Sequence, residues 1–182
     1  MYYNVRVKRY PDGCIQYFYS ERAKQKDYVI EERKQTGDNA ARKERENMSR
    51  AIQKVYDYAK SNHFDWFVTF TFDGAKVNRY NYDACAAVLK AFTNNIRQNG
   101  NTWLIVPEQH KDGAYHFHGL IGGDLRIASA VNPYNGKPLL DDGGRQIYNL
   151  LSYPCGYTSA VKTDGSPKLA TYIAKYFVCA FK

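Results

Sequence analysis

The chain lacks any long hydrophobic run. Its most apolar stretch, residues 66–72, contains two threonines, and it is far shorter than the roughly 20 apolar residues that a membrane-spanning helix needs. The first residues, Met-Tyr-Tyr-Asn, also lack the basic flank and apolar segment of a signal peptide. We therefore expect no membrane segment and no secretion, and we expect the protein to act in the cytoplasm.

Cysteine is scarce, and the four cysteines have no paired spacing. This argues against a zinc knuckle and against a disulfide framework, and it favours a reducing compartment. The four residues are Cys14, Cys85, Cys155 and Cys179.

Basic and aromatic residues are abundant. The chain has 182 residues, with 26 Lys and Arg against 18 Asp and Glu, so its formal charge is +8. A positive field favours polyanions through counterion release. The 17 tyrosines add candidate stacking platforms for unpaired bases. Many soluble proteins are as basic, so composition favours a nucleic-acid partner without identifying one.

Hydrophobic periodicity predicts an α+β fold in one domain. We expect a hairpin about Pro11-Asp12-Gly13, and we expect residues 21–37 to be either loop or the start of the first helix. Residues 122–152, rich in Gly, Pro and Asp, predict an irregular loop with a small hairpin about 141–144. The predicted strands are 2–9, 14–20, 66–72, 103–109, 115–121 and 156–163, and the predicted helices are 38–60, 81–99 with Asn81 as N-cap, and a last helix capped by Ser166 with Pro167 at its first position.

The hairpin about Lys111-Asp112-Gly113 predicts a metal site. His116 and His118 share one face of their strand, and a turn centred on Asp112 places Glu108 opposite His116. Glu108 is also the only glutamate after residue 60. Two imidazoles and a carboxylate suit Mn²⁺ or Mg²⁺ in an open site; zinc is an alternative ion, and His110 is a rival ligand.

The last helix carries a candidate nucleophile. Tyr172, Lys175 and Tyr176 lie on one stripe with Cys179, beside an apolar stripe of Leu169, Ile173, Phe177 and Ala180. A phenol has a pKa near ~10 and needs help to attack, which the charge of a lysine one turn away can give. The same pattern is also typical of packing with a snorkelling lysine.

Three segments together resemble the motifs of the HUH endonucleases. They are Phe67-Val68-Thr69-Phe70-Thr71-Phe72, His116-Phe117-His118-Gly119-Leu120-Ile121 and Tyr172-Ile173-Ala174-Lys175-Tyr176. The nearest similarity is to two-tyrosine initiators of rolling-circle replication from small single-stranded DNA phages and plasmids, and it covers roughly residues 64–178.

This resemblance implies a central antiparallel sheet with flanking helices and an RRM-like or ferredoxin-like core. It implies Glu108, His116 and His118 as ligands of Mn²⁺ or Mg²⁺. Tyr172 would nick single-stranded origin DNA and stay joined to its 5′ end, while Tyr176 would act at a second nick. The setting would be a bacterial host, with a host helicase as a candidate partner. The chain would be a single nuclease domain, 1–60 preceding a catalytic core at 61–182, either naturally short or cut from a longer initiator.

Two other classes of function remain open. A non-catalytic nucleic-acid binding module would explain the charge and the aromatic residues, but not the shared face of Glu108, His116 and His118. A hydrolytic metal phosphoesterase would need those three residues but no tyrosine. Within the HUH chemistry, a relaxase or a single-tyrosine transposase differs only in lacking the second tyrosine.

Overall fold

The computed structural model describes residues 2–26, 38–166 and 168–179. Its elements are β1 (Tyr2–Arg9), β2 (Ile15–Gln25), α1 (Asp38–Ser61), β3 (Trp66–Phe72), α2 (Tyr82–Gln98), β4 (Thr102–Gln109), β5 (Tyr115–Gly122), β6 (Ile127–Ser129), β7 (Tyr148–Leu150), β8 (Gly156–Lys162) and α3 (Lys168–Cys179). Within these described residues, no helix is both long and apolar enough to cross a bilayer.

The chain divides into two compact units, Met1–Ala51 and Ile52–Lys182. The first contains the β1–β2 hairpin, whose turn is closed by Asp12 accepting a hydrogen bond from the Cys14 backbone N–H at 3.1 Å. This confirms the predicted hairpin, although β2 continues to Gln25. Residues 21–25 are therefore strand rather than loop or helix, and 27–37 lie outside the described residues. That both units form one nuclease domain stays a prediction.

The second unit is built on a six-stranded sheet. The strand order is β4-β5-β3-β8-β7-β6, and every neighbouring pair is antiparallel. The predicted α+β fold, a central antiparallel sheet with flanking helices, is confirmed. β3 lies in the interior between β5 and β8, so the strand with the alternating Phe and Thr residues contacts both neighbours through its backbone.

The two faces of the sheet carry separate cores. Along β3, buried and half-buried side chains alternate, as a strand covered on both faces by different elements requires. One face packs on α2, whose Asn81 side chain accepts from the Ala84 N–H at 3.0 Å and confirms the predicted N-cap. The apolar stripe of α2 is buried there as expected: Cys85, Leu89, Phe92 and Ile96.

The other face packs on α3. Ile173 is fully buried against Leu120 of β5 and Val106 of β4, so the predicted apolar stripe of the last helix does meet the sheet. The Ser166 hydroxyl accepts from the Lys168 N–H at 3.3 Å, which supports the predicted cap. The predictions for Pro167 and Ala180 lie outside the described residues.

The prediction of an irregular loop over 122–152 was partly wrong. β6 and β7 lie within it and complete the edge of the sheet. Each is only three residues long, too short for an alternating pattern to identify a strand from sequence. The predicted turn about 141–144 is present, because the Gly144 N–H donates to the Asp141 carbonyl at 2.9 Å.

Gly156, where β8 begins beside Phe72, predicts a test of the fold. A Cβ there would overlap the Thr71 carbonyl oxygen and lie 2.8 Å from the Asp73 nitrogen, both backbone atoms that cannot move aside cheaply. We expect Gly156→Ala to cost about 2 kcal/mol or more and to lower Tm by roughly 4–8 °C in thermal unfolding. Gly74→Ala is the control, because no atom lies within 4 Å of its Cβ position. Equal Tm values for the two variants would contradict this packing.

Candidate active site

The β4–β5 hairpin brings Glu108 opposite His116, as its turn predicts. His118 follows on the same face of β5, and its Nε2 lies 2.7 Å from Oε2 of Glu108. Only 6% of the surface of His118 is exposed. The pair is therefore a largely dry imidazole–carboxylate contact on the face of the sheet that α3 covers.

Two threonines of β3 hold the histidines from the other side. Oγ1 of Thr69 lies 3.2 Å from Nδ1 of His118, and Oγ1 of Thr71 lies 3.4 Å from Nδ1 of His116. Sequence reasoning treated this strand as uninformative and missed the two contacts. The alternation of Thr69 and Thr71 was visible, but nothing local says that β3 lies beside β5.

A threonine hydroxyl suits either protonation state of the ring it contacts. A carboxylate only accepts, so Nε2 of His118 carries the proton toward Glu108, and Nδ1 then accepts from the Thr69 hydroxyl. If Nε2 instead offers its lone pair to an ion, the proton moves to Nδ1, and the same hydroxyl accepts it. Thr69 thus keeps His118 oriented in both states.

The two tyrosines of α3 meet this histidine. The ring of Tyr176 stacks on His118, with centroids 3.7 Å apart and planes 25° apart, and its hydroxyl lies 2.7 Å from the hydroxyl of Tyr172. Tyr172 is 46% exposed, and Phe67 of β3 supports its ring at 5.2 Å. One phenol is thus packed against the imidazole while its hydrogen-bonded neighbour faces solvent.

His110 and Lys175 differ in how they relate to this cluster. The ring of His110 stacks on His116 at 3.9 Å, and its Nε2 lies 3.9 Å from Oε2 of Glu108, so the rival ligand belongs to the same group of side chains. Lys175 is exposed on α3. The structure brings the tyrosines, histidines and Glu108 together and leaves the ammonium group in solvent.

The donor set fits a hard divalent ion in chemistry more than in present spacing. Among the described residues, no three His, Cys, Asp or Glu side chains are arranged to hold an ion as they stand. Two ligand atoms at about 2.1 Å from one ion and at right angles are about 3 Å apart, and the 2.7 Å between Glu108 and His118 is close to that. A third ligand, His116 or His110, would have to turn toward this pair.

Burial tunes the histidines toward the neutral form. Desolvation lowers the pKa of His118, and the hydrogen bond that its ring makes to Glu108 offsets only part of that effect. Desolvation also lowers the pKa of His116, and the nearby His110 lowers it further. Neutral imidazoles are the form that binds metal ions.

A groove opens beside the exposed tyrosine. It has a volume of about 500 Å³ and runs from Tyr172 and Phe67 along β3 and β8 to the loop at Asp141. That loop is held rigid because Asp141 accepts from the backbone and the guanidinium of Arg145, both at 2.8 Å. Aromatic, hydroxyl and cationic groups line the groove: Phe67, Thr69, Arg145, Ser159, Lys168 and Tyr172.

The fold and the site together define an α+β domain with a histidine–carboxylate pair stacked against two phenols on one face of an antiparallel sheet. Residues 65–179 match the family model of the replication-associated proteins of the ORF2 type. The match spans more than half of the chain and includes β3, the β4–β5 hairpin and α3, so the chain belongs to this family. Membership indicates a role in replication initiation and DNA as a binding partner. No curated protein and no solved structure matches the chain.

The lowered pKa values of His116 and His118 predict a pH-dependent stability. As the pH falls through about 6.5, unfolded histidines take up protons that the folded ones still refuse, so the free energy of unfolding decreases. Urea unfolding at roughly pH 7.5 and pH 5.5 measures this loss. A His116→Gln/His118→Gln variant, which cannot titrate there, should lose less stability over the same interval. An equal loss would mean that the two rings do not cause it.

Proposed function

We propose that the chain is a site-specific single-stranded DNA endonuclease and strand transferase of the two-tyrosine HUH type, which initiates rolling-circle replication. The observation that carries this proposal is the contact chain from Glu108 through His118 to Tyr176 and Tyr172, with links of 2.7, 3.7 and 2.7 Å. A binding module has no need of a carboxylate, an imidazole and two phenols in sequence. We place this activity at an origin in the cytoplasm of a bacterial host, with a host helicase as partner.

Tyr172 is the proposed nucleophile because it is the exposed phenol of the pair and borders the groove. Its oxygen attacks the phosphorus, the bond from phosphorus to the 3′ oxygen breaks, and a 5′-phosphotyrosine forms. The phenol loses a proton, and the departing 3′ oxygen gains one, so the products are a free 3′-hydroxyl and a covalent protein–DNA link. The Tyr176 hydroxyl can donate to the oxygen of Tyr172 as negative charge grows there.

Glu108, His116 and His118 are the proposed ligands of Mn²⁺ or Mg²⁺, with His110 as their neighbour. When bound, such an ion polarises the phosphate and offsets the charge that develops on it. Lys175, exposed one turn from Tyr172, is free to approach the same phosphate from solvent. Thr69 and Thr71 keep the two imidazoles oriented in either protonation state.

Tyr176 is proposed to act second. Its hydroxyl already touches that of Tyr172, so once Tyr172 holds the first strand, Tyr176 lies beside the new phosphodiester that enters. The phosphotyrosine link keeps the energy of the cut bond, and the reverse reaction can therefore close a strand without a nucleotide cofactor. This property suits replication better than hydrolysis does.

The test is the product made from a labelled oligonucleotide on a denaturing gel. A covalent adduct supports the proposed chemistry, free fragments would indicate a phosphoesterase, and intact DNA would indicate a binding module. We expect Tyr172→Phe to remove the adduct because its hydroxyl forms the bond. Tyr176→Phe should still form the first adduct but fail to transfer it to a second site. Lys175→Ala should slow the step more than it weakens binding.

The control for these variants is Tyr134→Phe, which changes an exposed tyrosine of a loop and should leave the adduct unchanged. If Tyr172→Phe keeps the adduct and Tyr176→Phe loses it, the two roles are reversed. If both keep it, the tyrosines replace each other, and only loss in the double variant would preserve tyrosine catalysis.

Removing the proposed ligands predicts a separate result. We expect His118→Ala to abolish both Mn²⁺ binding in calorimetry and adduct formation, while affinity for single-stranded DNA largely survives, because the ring offers a donor atom that DNA binding does not need. Excess chelator should stop cleavage of the wild-type chain, and Mn²⁺ should restore it. His63→Ala is the control, since that ring is exposed and pairs with Asp65 at 3.1 Å. Full cleavage in chelator would contradict the metal site.

A further inference from the structure

The β1–β2 hairpin has an exposed face that the proposed chemistry does not use. Register pairs Val5 with Tyr19 and Val7 with Tyr17, and paired residues of antiparallel strands share a face. Ile15, Tyr17 and Tyr19 on this face are 47%, 54% and 78% exposed. The hairpin lies outside residues 65–179, so the family match does not account for it. We call this surface, made of Val5, Val7, Arg9, Ile15, Tyr17 and Tyr19, the tyrosine face.

The opposite face of the hairpin is occupied by its own side chains. The Arg6 guanidinium lies 4.5 Å above the centroid of the Phe18 ring, and the Lys8 ammonium lies 5.4 Å from it. The buried Tyr10 donates to Gln16 at 2.9 Å. These contacts hold the two strands together, so the tyrosine face is not needed for the packing of this side and stays available to a partner.

The charge of the hairpin selects the partner. Residues 2–26 carry six basic side chains against two acidic ones, Asp12 and Glu21, which leaves them strongly positive. An apolar surface made for another protein copy would meet repulsion from the same charges, whereas a polyanion gains from counterion release. The basic residues are Arg6, Lys8, Arg9, Arg22, Lys24 and Lys26.

We propose that the tyrosine face is a second binding site for single-stranded nucleic acid. Tyr17 and Tyr19 are two residues apart on one strand, so their rings are about 6.8 Å apart along it and offer neighbouring platforms on which successive bases stack. The surrounding lysines and arginines contact the phosphates. A duplex hides its base faces, so this site prefers unpaired strands. The proposal goes beyond the nicking chemistry and does not depend on it.

The experiment measures binding of the full chain to a labelled oligothymidine by fluorescence anisotropy, in excess chelator so that no cleavage intervenes. The variant is Tyr17→Thr/Tyr19→Thr, which removes both rings but keeps residues that favour strands. We expect affinity to fall about tenfold or more. The matched control, Tyr17→Phe/Tyr19→Phe, keeps both rings and should bind within about twofold of wild type. Wild type should bind the single strand more tightly than a blunt duplex.

Ultraviolet crosslinking of the wild-type chain to a bromodeoxyuridine oligonucleotide gives a second readout that needs no variant. The crosslinked tryptic peptide should be residues 10–22, which carries Tyr17 and Tyr19. Unchanged affinity in the threonine variant, equal loss in the phenylalanine variant, or tighter binding to duplex would overturn the proposal. So would a threonine variant that only reduces self-association in sedimentation, which would make the face an interface between copies.

Discussion

His118 is the residue on which the arrangement of the site depends. Three elements from different parts of the chain contact its ring: Thr69 of β3 at Nδ1, Glu108 of β4 at Nε2, and Tyr176 of α3 on its face. A buried polar ring is costly unless its nitrogens are satisfied, so these contacts must form together. Once they form, they fix where the last helix lies over the sheet and therefore where both tyrosine hydroxyls lie.

This dependence explains how one face of an antiparallel sheet can serve DNA chemistry. The buried imidazole keeps its neutral form because desolvation lowers its pKa, and the hydroxyl of Thr69 tolerates either tautomer. Outside this dry contact, Tyr172 faces the groove that leads to the Asp141 loop. A rigid, dry part thus holds the orientation, and an exposed part meets the strand. In the proposed function, this division keeps the nucleophile accessible without loosening the residues that position it.

The sequence predicted most where the pattern was long or its geometry was arithmetic. The seven alternating residues of β3, the buried stripe of α2 and the pairing of Glu108 with His116 across a tight turn are all confirmed. The three-residue strands β6 and β7 were missed because so short a segment has no period. The roles of Thr69 and Thr71 were missed for another reason: β3 pairs with β5 across an intervening helix and strand, and no local pattern encodes that neighbour. The stacking of Tyr176 on His118 likewise depends on how α3 docks.

Peptide mapping of the protein–DNA adduct tests the central claim most directly. Trypsin cuts after Lys168 and Lys175, so Tyr172 and Tyr176 fall on different peptides, one of residues 169–175 and one beginning at Tyr176. After a single nick, mass spectrometry should find the nucleotide mass on the 169–175 peptide. When a second nick follows, the peptide beginning at Tyr176 should carry it as well. Nucleotide mass on neither peptide, with DNA nonetheless cut, would contradict the account.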